Sequence, residues 1–330
     1  MGTDAAQHHI ALAVDIGGSK VEIAAIAASG APRTETARYA VPFDADGAAD
    51  AHGLIDLLAP HVEQVRRLQG HLDGIGLSVC GNIERESGLA VLVPNLHWHN
   101  LPFGSMVADR FGLPVFAATD VRLAAQAEAL WGEGKGVRNF AWVTIGTGCG
   151  AYLFLDGRIY GGAHGFAGNF GHYTIDEADG YPCGCGRRGC LETLVAGPAI
   201  ARAGQAAAES GRSPTLRQLA AGGRVTSRSV FQAEALGDPA AKEIIENVVH
   251  RLAVSLGGLV TILDLELLIL GGGVVHASPD LARRIDRSVR SYLMTAESMR
   301  DLRVVTESLP NSALYGAASE VFLCTGLLDL

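Results

Sequence analysis

Apolar and polar positions along the chain follow two patterns, continuous apolar runs and longer stretches with helical spacing. Apolar runs bounded by glycine or polar turns are typical of buried strands. They predict strands at residues 10–16, 21–27, 74–79, 115–118, 140–145, 151–159 and 266–270. Apolar residues three and four apart predict helices at residues 52–68, 121–134, 194–210, 240–263 and 312–328. This mixture of strands and helices predicts an α/β fold.

Three glycine-rich turns follow predicted strands. The first carries Asp15, Gly17, Gly18, Ser19 and Lys20, the second Thr144, Gly146, Thr147 and Gly148, and the third Gly271, Gly272 and Gly273. The first two are hairpin tips, whose backbone N–H groups can hold phosphate, and Asp15 could hold the metal of a metal–nucleotide complex. A plain glycine turn explains any one of them, and the third could also be a tight strand–helix turn. The repeated hairpin nevertheless indicates two related halves that present phosphate-binding tips to a shared cleft.

A glycine-rich stretch at residues 165–192 holds one histidine and three cysteines, His172, Cys183, Cys185 and Cys190. Imidazole nitrogen and thiolate sulfur are the ligands that tetrahedral zinc prefers, and a closed four-ligand site is structural. Buried or disulfide-bonded thiols are the alternative. However, Cys183 and Cys185 lie too close along the chain for an unstrained bridge, and three thiols leave one unpaired. We therefore predict a structural zinc that fixes His172 and Glu192 on either side of one cavity.

Two polar groups outside the glycine turns are further candidates for ligand binding. Asp120 stands between the strand at residues 115–118 and the next helix, where α/β proteins place ligand groups, although aspartate is also a favoured helix cap. Asn95 lies in a polar and aromatic loop at residues 94–102. That loop either contacts substrate or is a surface segment anchored by Trp98.

Bulk composition narrows the class of protein. A chain of 330 residues, 48% of them apolar, is long enough for two domains that share a cleft. The net charge of −9 argues against nucleic acid as the main partner. We find no signal peptide and no apolar run long enough to span a bilayer, so we expect no membrane partner. Free thiols with zinc indicate a reducing compartment, and we expect a cytoplasmic protein.

Taken together, these motifs resemble the ROK family of bacterial sugar kinases, within the actin-like ATPase superfamily. They are Asp15-Ile-Gly-Gly-Ser-Lys20, Thr119-Asp120, Gly146-Thr-Gly148, Gly168-Asn-Phe-Gly-His172, Cys183-x-Cys185-Gly-x-x-Gly-Cys190-x-Glu192 and Gly271-Gly-Gly273. The resemblance implies two ribonuclease-H-like α/β domains flanking a cleft, with the C-terminal helix returning to the first. We expect a smaller domain of residues 1–121 and 311–330 and a larger one of residues 122–310. Relatives form dimers or tetramers, which implies a homodimer or homotetramer here.

The resemblance also implies an activity and roles for individual residues. The family's kinases transfer the γ-phosphate of ATP, with Mg²⁺, to the 6-hydroxyl of a hexose. Asp120 matches the general base, and His172 and Glu192 match sugar-binding positions near the anomeric end. Asp15 and the two hairpin tips match the metal–phosphate site, and the third glycine turn matches the adenosine side. The loop with Asn95 lies beside the family's sugar cleft.

Two departures from the family pattern bear on the sugar. Thr119 stands where the family usually has asparagine, and Asn169 stands where it usually has glutamate; in relatives both face C2 and C3 of the sugar. One interpretation is an active kinase for an amino, N-acetyl, epimeric or C3-modified hexose, such as kanosamine (3-amino-3-deoxyglucose), N-acetylmannosamine or N-acetylglucosamine. The other is a degraded site that binds glucose weakly. We favour the first because Asp120, His172, Glu192 and the zinc ligands are intact.

Two other functions compete with a kinase. ROK proteins include sugar-responsive repressors that carry a helix-turn-helix ahead of the first hairpin. Only a short arm precedes that hairpin here and the net charge is negative, so we expect no DNA-binding repressor. The remaining alternative is a non-catalytic sugar-binding sensor of the same family.

Overall fold

The structure, a computed structural model, describes residues 5–68, 70–164, 167–178 and 180–330. Three residues of the predicted zinc stretch, Gly165, Phe166 and Asp179, lie outside the described residues. The chain divides into two compact units, Met1–Lys135 with Ser308–Leu330, and Gly136–Glu307.

Strands and helices alternate through most of the chain. The strands are β1 (His9–Ile16), β2 (Lys20–Ala27), β3 (Ala37–Ala40), β4 (His71–Val79), β5 (Asn82–Glu84), β6 (Leu89–Val93), β7 (Trp98–Leu101), β8 (Val115–Thr119), β9 (Phe140–Ile145), β10 (Cys149–Leu155), β11 (Arg158–Tyr160), β12 (Leu267–Gly271) and β13 (Arg303–Thr306). The helices are α1 (Ala5–His8), α2 (Ala51–Arg66), α3 (Phe103–Phe111), α4 (Asp120–Trp131), α5 (Glu192–Val195), α6 (Gly197–Glu209), α7 (Pro214–Ala220), α8 (Ser227–Ala235), α9 (Pro239–Leu263), α10 (Gly273–His276), α11 (Leu281–Val289), α12 (Ala296–Asp301) and α13 (Ser312–Cys324). Short 3₁₀ turns lie at Pro94–Leu96, Phe170–His172 and Arg290–Tyr292.

The first unit is built on a sheet in the order β3-β2-β1-β4-β8. β1 and β2 form an antiparallel hairpin, and β1, β4 and β8 run parallel. Ile16, Val79 and Thr119 are in register, so the carboxyl ends of the three parallel strands are level. The C-terminal helix α13 packs in this unit. The expected boundary after residue 121 falls inside α4, whose buried Gln126 donates to Ser319 Oγ at 2.9 Å.

The second unit repeats this topology with a sheet in the order β11-β10-β9-β12-β13. β9 and β10 form the antiparallel hairpin, and β9, β12 and β13 run parallel. The expected α/β fold of two related halves is therefore confirmed.

Helix α9 forms part of the core of the second unit. Leu252, Ala253 and Leu256 on this helix are fully buried. Its 25 residues are, among the described residues, long and apolar enough to cross a membrane by length and composition, which corrects our expectation that no such run exists. Half of the most apolar window is buried in the fold, as in the core helix of a globular unit.

Three predicted elements differ from those observed. The strand expected at residues 151–159 is broken at Asp156 and Gly157, which have φ angles of 53° and 80° and turn the chain from β10 into β11. The loop expected at residues 94–102 contains a 3₁₀ turn and strand β7. The helix expected at residues 194–210 is divided into α5 and α6, because Ala196 is extended at ψ 162°.

Candidate active site

Two carboxylates, Asp15 and Asp120, lie at the carboxyl edge of the first sheet, at the ends of β1 and β8 that flank β4. Ser78 Oγ on β4 donates to Asp15 Oδ1 at 2.7 Å, and Asn311 Nδ2 donates to Oδ2 at 3.1 Å. Burial raises the pKa of Asp15 against these hydrogen bonds, and the charge of Glu22 adds to the rise. Burial and the charge of Asp15 raise the pKa of Asp120 to about 6. A carboxylate of that pKa is poised to accept a proton near neutral pH.

Asp120 also serves the helix that it begins. The Val121 N–H donates to Asp120 Oδ1 at 2.9 Å, and Thr119, the N-cap of α4, makes no side-chain cap hydrogen bond. The two interpretations of Asp120, helix terminus and ligand group, are therefore compatible. Its second carboxylate oxygen is not used by this bond.

Glu22 organises the base of the first hairpin. It is buried and faces Asp15 across β1 and β2. It accepts from Lys20 Nζ at 3.2 Å, from Arg38 Nε at 2.7 Å and from Asn311. Burial alone would raise its pKa, but the hydrogen bonds from Asn311 and Lys20 and the charges of Lys20 and Arg38 lower it. The structure thus places the Lys20 ammonium on Glu22, whereas we had assigned it to phosphate.

The first glycine tip is closed by its own backbone. The Gly17 N–H donates to Lys20 O at 2.9 Å, and Ser19 is exposed at the tip. A Cβ added at Gly18 would lie 3.0 Å from the Asn95 Cβ. Asn95 therefore contacts this tip, and only a residue without a side chain fits comfortably at Gly18.

The segment that carries Asn95 is both anchored and exposed. Trp98 is buried, and its Nε1 donates to Ala49 O at 2.8 Å, which fixes the segment as we expected for an anchored loop. Asn95 itself is exposed, and its side chain hydrogen-bonds Cys80 at the end of β4. The interpretation of an anchored segment therefore describes Trp98, and substrate contact by Asn95 stays a prediction.

The second unit brings the predicted zinc ligands together. The ligand atoms of His172, Cys183, Cys185 and Cys190 all lie within 4.8 Å of one another. Cys183 Sγ is 3.5 Å from His172 Nδ1, and the sulfurs of Cys185 and Cys190 are 3.6 Å apart. Zinc bonds of about 2.0–2.3 Å place tetrahedral ligands roughly 3.5–3.8 Å apart. The four residues therefore fit a structural zinc ion.

Local backbone geometry and thiol chemistry agree with that fit. Gly186 and Gly189 have φ angles of 88° and 68°, which allow the loop to fold back between the sulfurs. The backbone N–H and side chain of Arg187 lower the pKa of Cys185 to about 6. Burial and hydrogen bonds with Cys185 and Cys183 raise the pKa of Cys190 to about 12. A cation among these sulfurs would favour thiolates, as zinc ligation requires.

Glu192 begins α5 beside this cluster. Its Oε2 accepts the Cys149 N–H at 3.0 Å, and its Oε1 lies 4.0 Å from His172 Nδ1 and 3.8 Å from Cys183 Sγ. Because His172 Nδ1 faces the sulfurs, Nε2 is the nitrogen left for another partner. Asn169 precedes the 3₁₀ turn that carries His172, and its carbonyl accepts the His172 N–H at 3.0 Å while its side chain is exposed.

A cavity of about 630 Å³ opens beside the second hairpin tip. Gly146, Thr147 and Gly273, three of the residues predicted to bind nucleotide, line it. So do the first residues of α6 and α8, Gly197 and Ser227. N–H groups at glycine turns and helix N-termini suit phosphate. The Gly146 and Gly197 N–H groups already donate to Gly148 O at 2.9 Å and to Gly146 O at 2.7 Å.

Sequence reasoning missed the rest of the lining, including Gly197 and Ser227. The other missed residues are Pro198, Ala201, Val225, Thr226, Arg228, Val274, His276 and Ala277. Two signals were available: a Gly-Pro pair, which is common at a helix start, and Thr226, whose side chain caps α8 in a capping box with Ser229.

Gly272 has the backbone geometry that only glycine adopts readily, with φ at 92°. A Cβ there would lie 2.6 Å from Ile145 O and 2.7 Å from Thr144 Oγ1. Its N–H donates to Glu307 Oε1 at 3.2 Å. These contacts hold the third glycine turn against β9 and direct Gly273 to the cavity.

Three other residues predicted to bind nucleotide, Thr144, Gly148 and Gly271, support the glycine turns and do not line this cavity. Thr144 pairs with Gly271 across β9 and β12. A Cβ at Gly271 would lie 2.6 Å from the Glu307 carboxylate, and one at Gly148 would lie 2.8 Å from Glu192 Oε2. Gly148 thus links the second tip to the zinc-side carboxylate.

Comparisons with known proteins agree with this architecture. The ROK family model matches residues 11–321. A glucokinase from Halalkalibacterium halodurans is 29% identical over 284 residues, covering 85% of either chain. A xylose repressor from Caldicellulosiruptor bescii is 32% identical over 218 residues, covering 66% of this chain and 54% of the repressor. The structure of a ROK family glucokinase from Streptomyces griseus in complex with glucose and AMPPNP is 27% identical, with a TM-score of 0.77 and coverage of 94% of this chain and 98% of that one.

The chain therefore belongs to the ROK family. The match to the family, the glucokinase relatives and the ROK kinase structures show that it is one of that family's sugar kinases, built from two actin-like ATPase-type units.

Proposed function

We propose that this protein is an ATP-dependent kinase that transfers the γ-phosphate to the 6-hydroxyl of a hexose or amino-hexose. One observation carries the proposal: Asp120 stands at the carboxyl end of β8 with its pKa raised to about 6 by burial and by Asp15. A structural cap needs no such shift, whereas a general base gains from a pKa near the working pH.

Asp120 is the base in this mechanism. It accepts the proton of the sugar 6-hydroxyl as that oxygen forms a bond to the γ-phosphorus and the bond to the β–γ bridging oxygen breaks. The products are sugar 6-phosphate and ADP. Positioning and electrostatic stabilisation supply most of the rate in such transfers, and the base contributes the proton acceptance.

Asp15 is the proposed acidic residue of the metal–phosphate site. Burial and the charge of Glu22 raise the pKa of its carboxyl, and it raises the pKa of Asp120 in turn. A divalent cation would relieve this crowding of negative charge, so the residues fit Mg²⁺. Asp15 would hold the ion, which would neutralise charge on the nucleotide phosphates. Ser78 and Asn311 hold the Asp15 carboxylate in a fixed orientation.

The proposed sugar-binding residues are His172, Glu192 and Asn95. His172 Nε2 and the Glu192 carboxylate are assigned to the anomeric end of the sugar, and Asn95 is assigned a further polar contact. His172 would hold zinc through Nδ1 together with the three cysteines, and the ion would have a structural role and no part in the reaction. ATP places its phosphates near the glycine tips and its adenosine in the cavity lined by Gly273.

The native sugar differs from glucose at C2 or C3 in this account. Thr119 and Asn169 replace residues that face those carbons in relatives, and an amide donates as well as accepts hydrogen bonds. Kanosamine, N-acetylmannosamine and N-acetylglucosamine are the sugars we favour, since a site built for one pattern of polar groups rejects another.

A coupled ADP-release assay against a hexose panel tests the proposal. The panel contains glucose, allose and the three modified sugars, and the expected result is turnover of at least one with Mg-ATP. The competing function is a non-catalytic sugar sensor. The 32% identity to a xylose repressor supports this alternative. Sugar binding without ADP release for any sugar would favour the sensor and end the kinase proposal. We also expect a cytoplasmic homodimer or homotetramer, which light scattering of the purified chain would test.

A further inference from the structure

A second cluster of metal-ligating side chains lies in the first unit, at the amino end of its sheet. His9 begins β1 and His71 begins β4, and the two residues are paired in the parallel ladder. Asp73 follows two residues after His71. The ligand atoms of the three lie within 4.8 Å of one another.

A β-bulge shapes this cluster. Ile10 pairs with Leu72 and Ala11 pairs with Gly74, so Asp73 has no partner residue on β1. Bulges re-aim the side chain of the extra residue and often lie next to functional sites. Here the bulge places the Asp73 carboxylate against both imidazoles.

The two carboxylate oxygens of Asp73 differ in their hydrogen bonding. His9 Nδ1 and His71 Nδ1 lie 2.9 Å and 3.0 Å from the same oxygen, Oδ1. The Asp73 side chain is only 7% exposed, and its other oxygen, Oδ2, is buried without a hydrogen-bond partner among the described residues. Buried carboxylate oxygens are normally satisfied, so an unpaired one asks for an explanation.

We propose that His9, His71 and Asp73 bind a divalent zinc ion. Two imidazole nitrogens and a carboxylate oxygen are ligands that zinc accepts, and three protein ligands leave a position for water. The ion takes the place of the Nδ1 protons, and Asp73 binds it through the carboxylate that holds the unpaired oxygen. His71 is 75% exposed and His9 28% exposed, so the site opens to solvent and an ion can enter.

The ion would act as a clamp between two strands. β1 and β4 are central in the first sheet, and their opposite ends carry Asp15 and Ser78. Fastening the amino ends of these strands would stabilise the folded chain by mass action, because a metal that binds only the folded state adds to its stability. The site is independent of the cysteine cluster, which belongs to the second unit.

Cobalt substitution in the full chain distinguishes the two clusters. The chain is stripped of metal with a chelator and titrated with Co²⁺ in excess Mg²⁺, which occupies the proposed Asp15 site. Co²⁺ gives a thiolate-to-cobalt charge-transfer band only where cysteine is a ligand. We expect two equivalents, one with that band and one without. The band-free equivalent should be lost in His71→Ala and kept in Cys185→Ser, with affinity in His71→Ala lowered at least about 100-fold.

His52→Ala is the matched control, because it removes another exposed imidazole of the same unit from α2. It should keep both equivalents. A band-free equivalent that survives His71→Ala is adventitious metal only and overturns the proposal, as does wild-type chain that binds a single equivalent. If His71→Ala does not fold, the titration of the wild-type chain is the test. Absence of a band-free equivalent in that titration would contradict the site.

Discussion

Replacing Asp120 with asparagine is the perturbation that bears most directly on the mechanism. The amide matches the carboxylate in size but cannot take a proton. A positioned general base contributes about 10²–10⁴-fold, so kcat should fall by that factor, which is roughly 3–5 kcal/mol of activation free energy. Sugar affinity should stay within a few-fold, since the side chain keeps its shape and one acceptor oxygen.

The dependence of kcat/KM on pH is a second test of Asp120 as the general base. Burial and the charge of Asp15 raise the pKa of Asp120 to about 6. Because the carboxylate is the active form, kcat/KM should decline as pH falls through that value, to about one tenth at pH 5. The Asp120→Asn chain should lack this acid limb.

The assay is coupled ADP release at saturating Mg-ATP, with sugar affinity measured separately by calorimetry. Asp109→Asn is the control, because it neutralises an exposed aspartate on α3 of the same unit. It should leave turnover and its pH dependence unchanged. Turnover of Asp120→Asn within tenfold of wild type would refute the assignment of Asp120 as the base.

Three further substitutions test other parts of the account. Cys185→Ser should lower zinc content by half or more and weaken sugar binding about tenfold in step, measured by metal analysis and calorimetry; a fully active variant that has lost the zinc of the cysteine cluster would show that the clamp is not needed. Asn169→Glu should raise kcat/KM for glucose relative to the native sugar by about 10–100-fold, the worth of one charged hydrogen bond; flat glucose kinetics would contradict the C2–C3 argument. Gly272→Ala should raise KM for ATP and lower stability by about 1–3 kcal/mol in a denaturation assay, because its Cβ would lie 2.6 Å from Ile145 O at a φ of 92°. Gly237→Ala, at a φ of 85° with open space around the Cβ, separates backbone strain from the clash and should keep KM unchanged.

The sequence specified the strongly patterned elements. The apolar runs of β1, β2, β4, β8, β9 and β12 each became a strand, because a buried strand needs a continuous apolar stretch. The long helix α9 was equally clear from its spacing. β5 and β7 were missed because they are short and mostly exposed, so no apolar run marks them.

The local motifs of the site were also visible in the sequence. Histidine and cysteine are metal ligands and glycine permits tight turns, so these residue types indicate a site by their spacing alone. The network around Asp15 was not. Ser78 and Asn311 are 63 and 296 residues away along the chain, and only the folded sheet brings them to the carboxylate. Lys20 shows the opposite error: its place beside the glycine tip suggested phosphate, but the buried Glu22 two residues later engages its ammonium.

A crystal structure of the protein with its hexose and a non-hydrolysable ATP analogue tests the central claim most directly. The distance to measure joins the oxygen of the sugar's primary hydroxyl to the nearer carboxylate oxygen of Asp120. The account predicts a hydrogen bond of about 2.6–3.2 Å, with the γ-phosphate on the other side of that hydroxyl. A primary hydroxyl directed away from Asp120 would contradict the account.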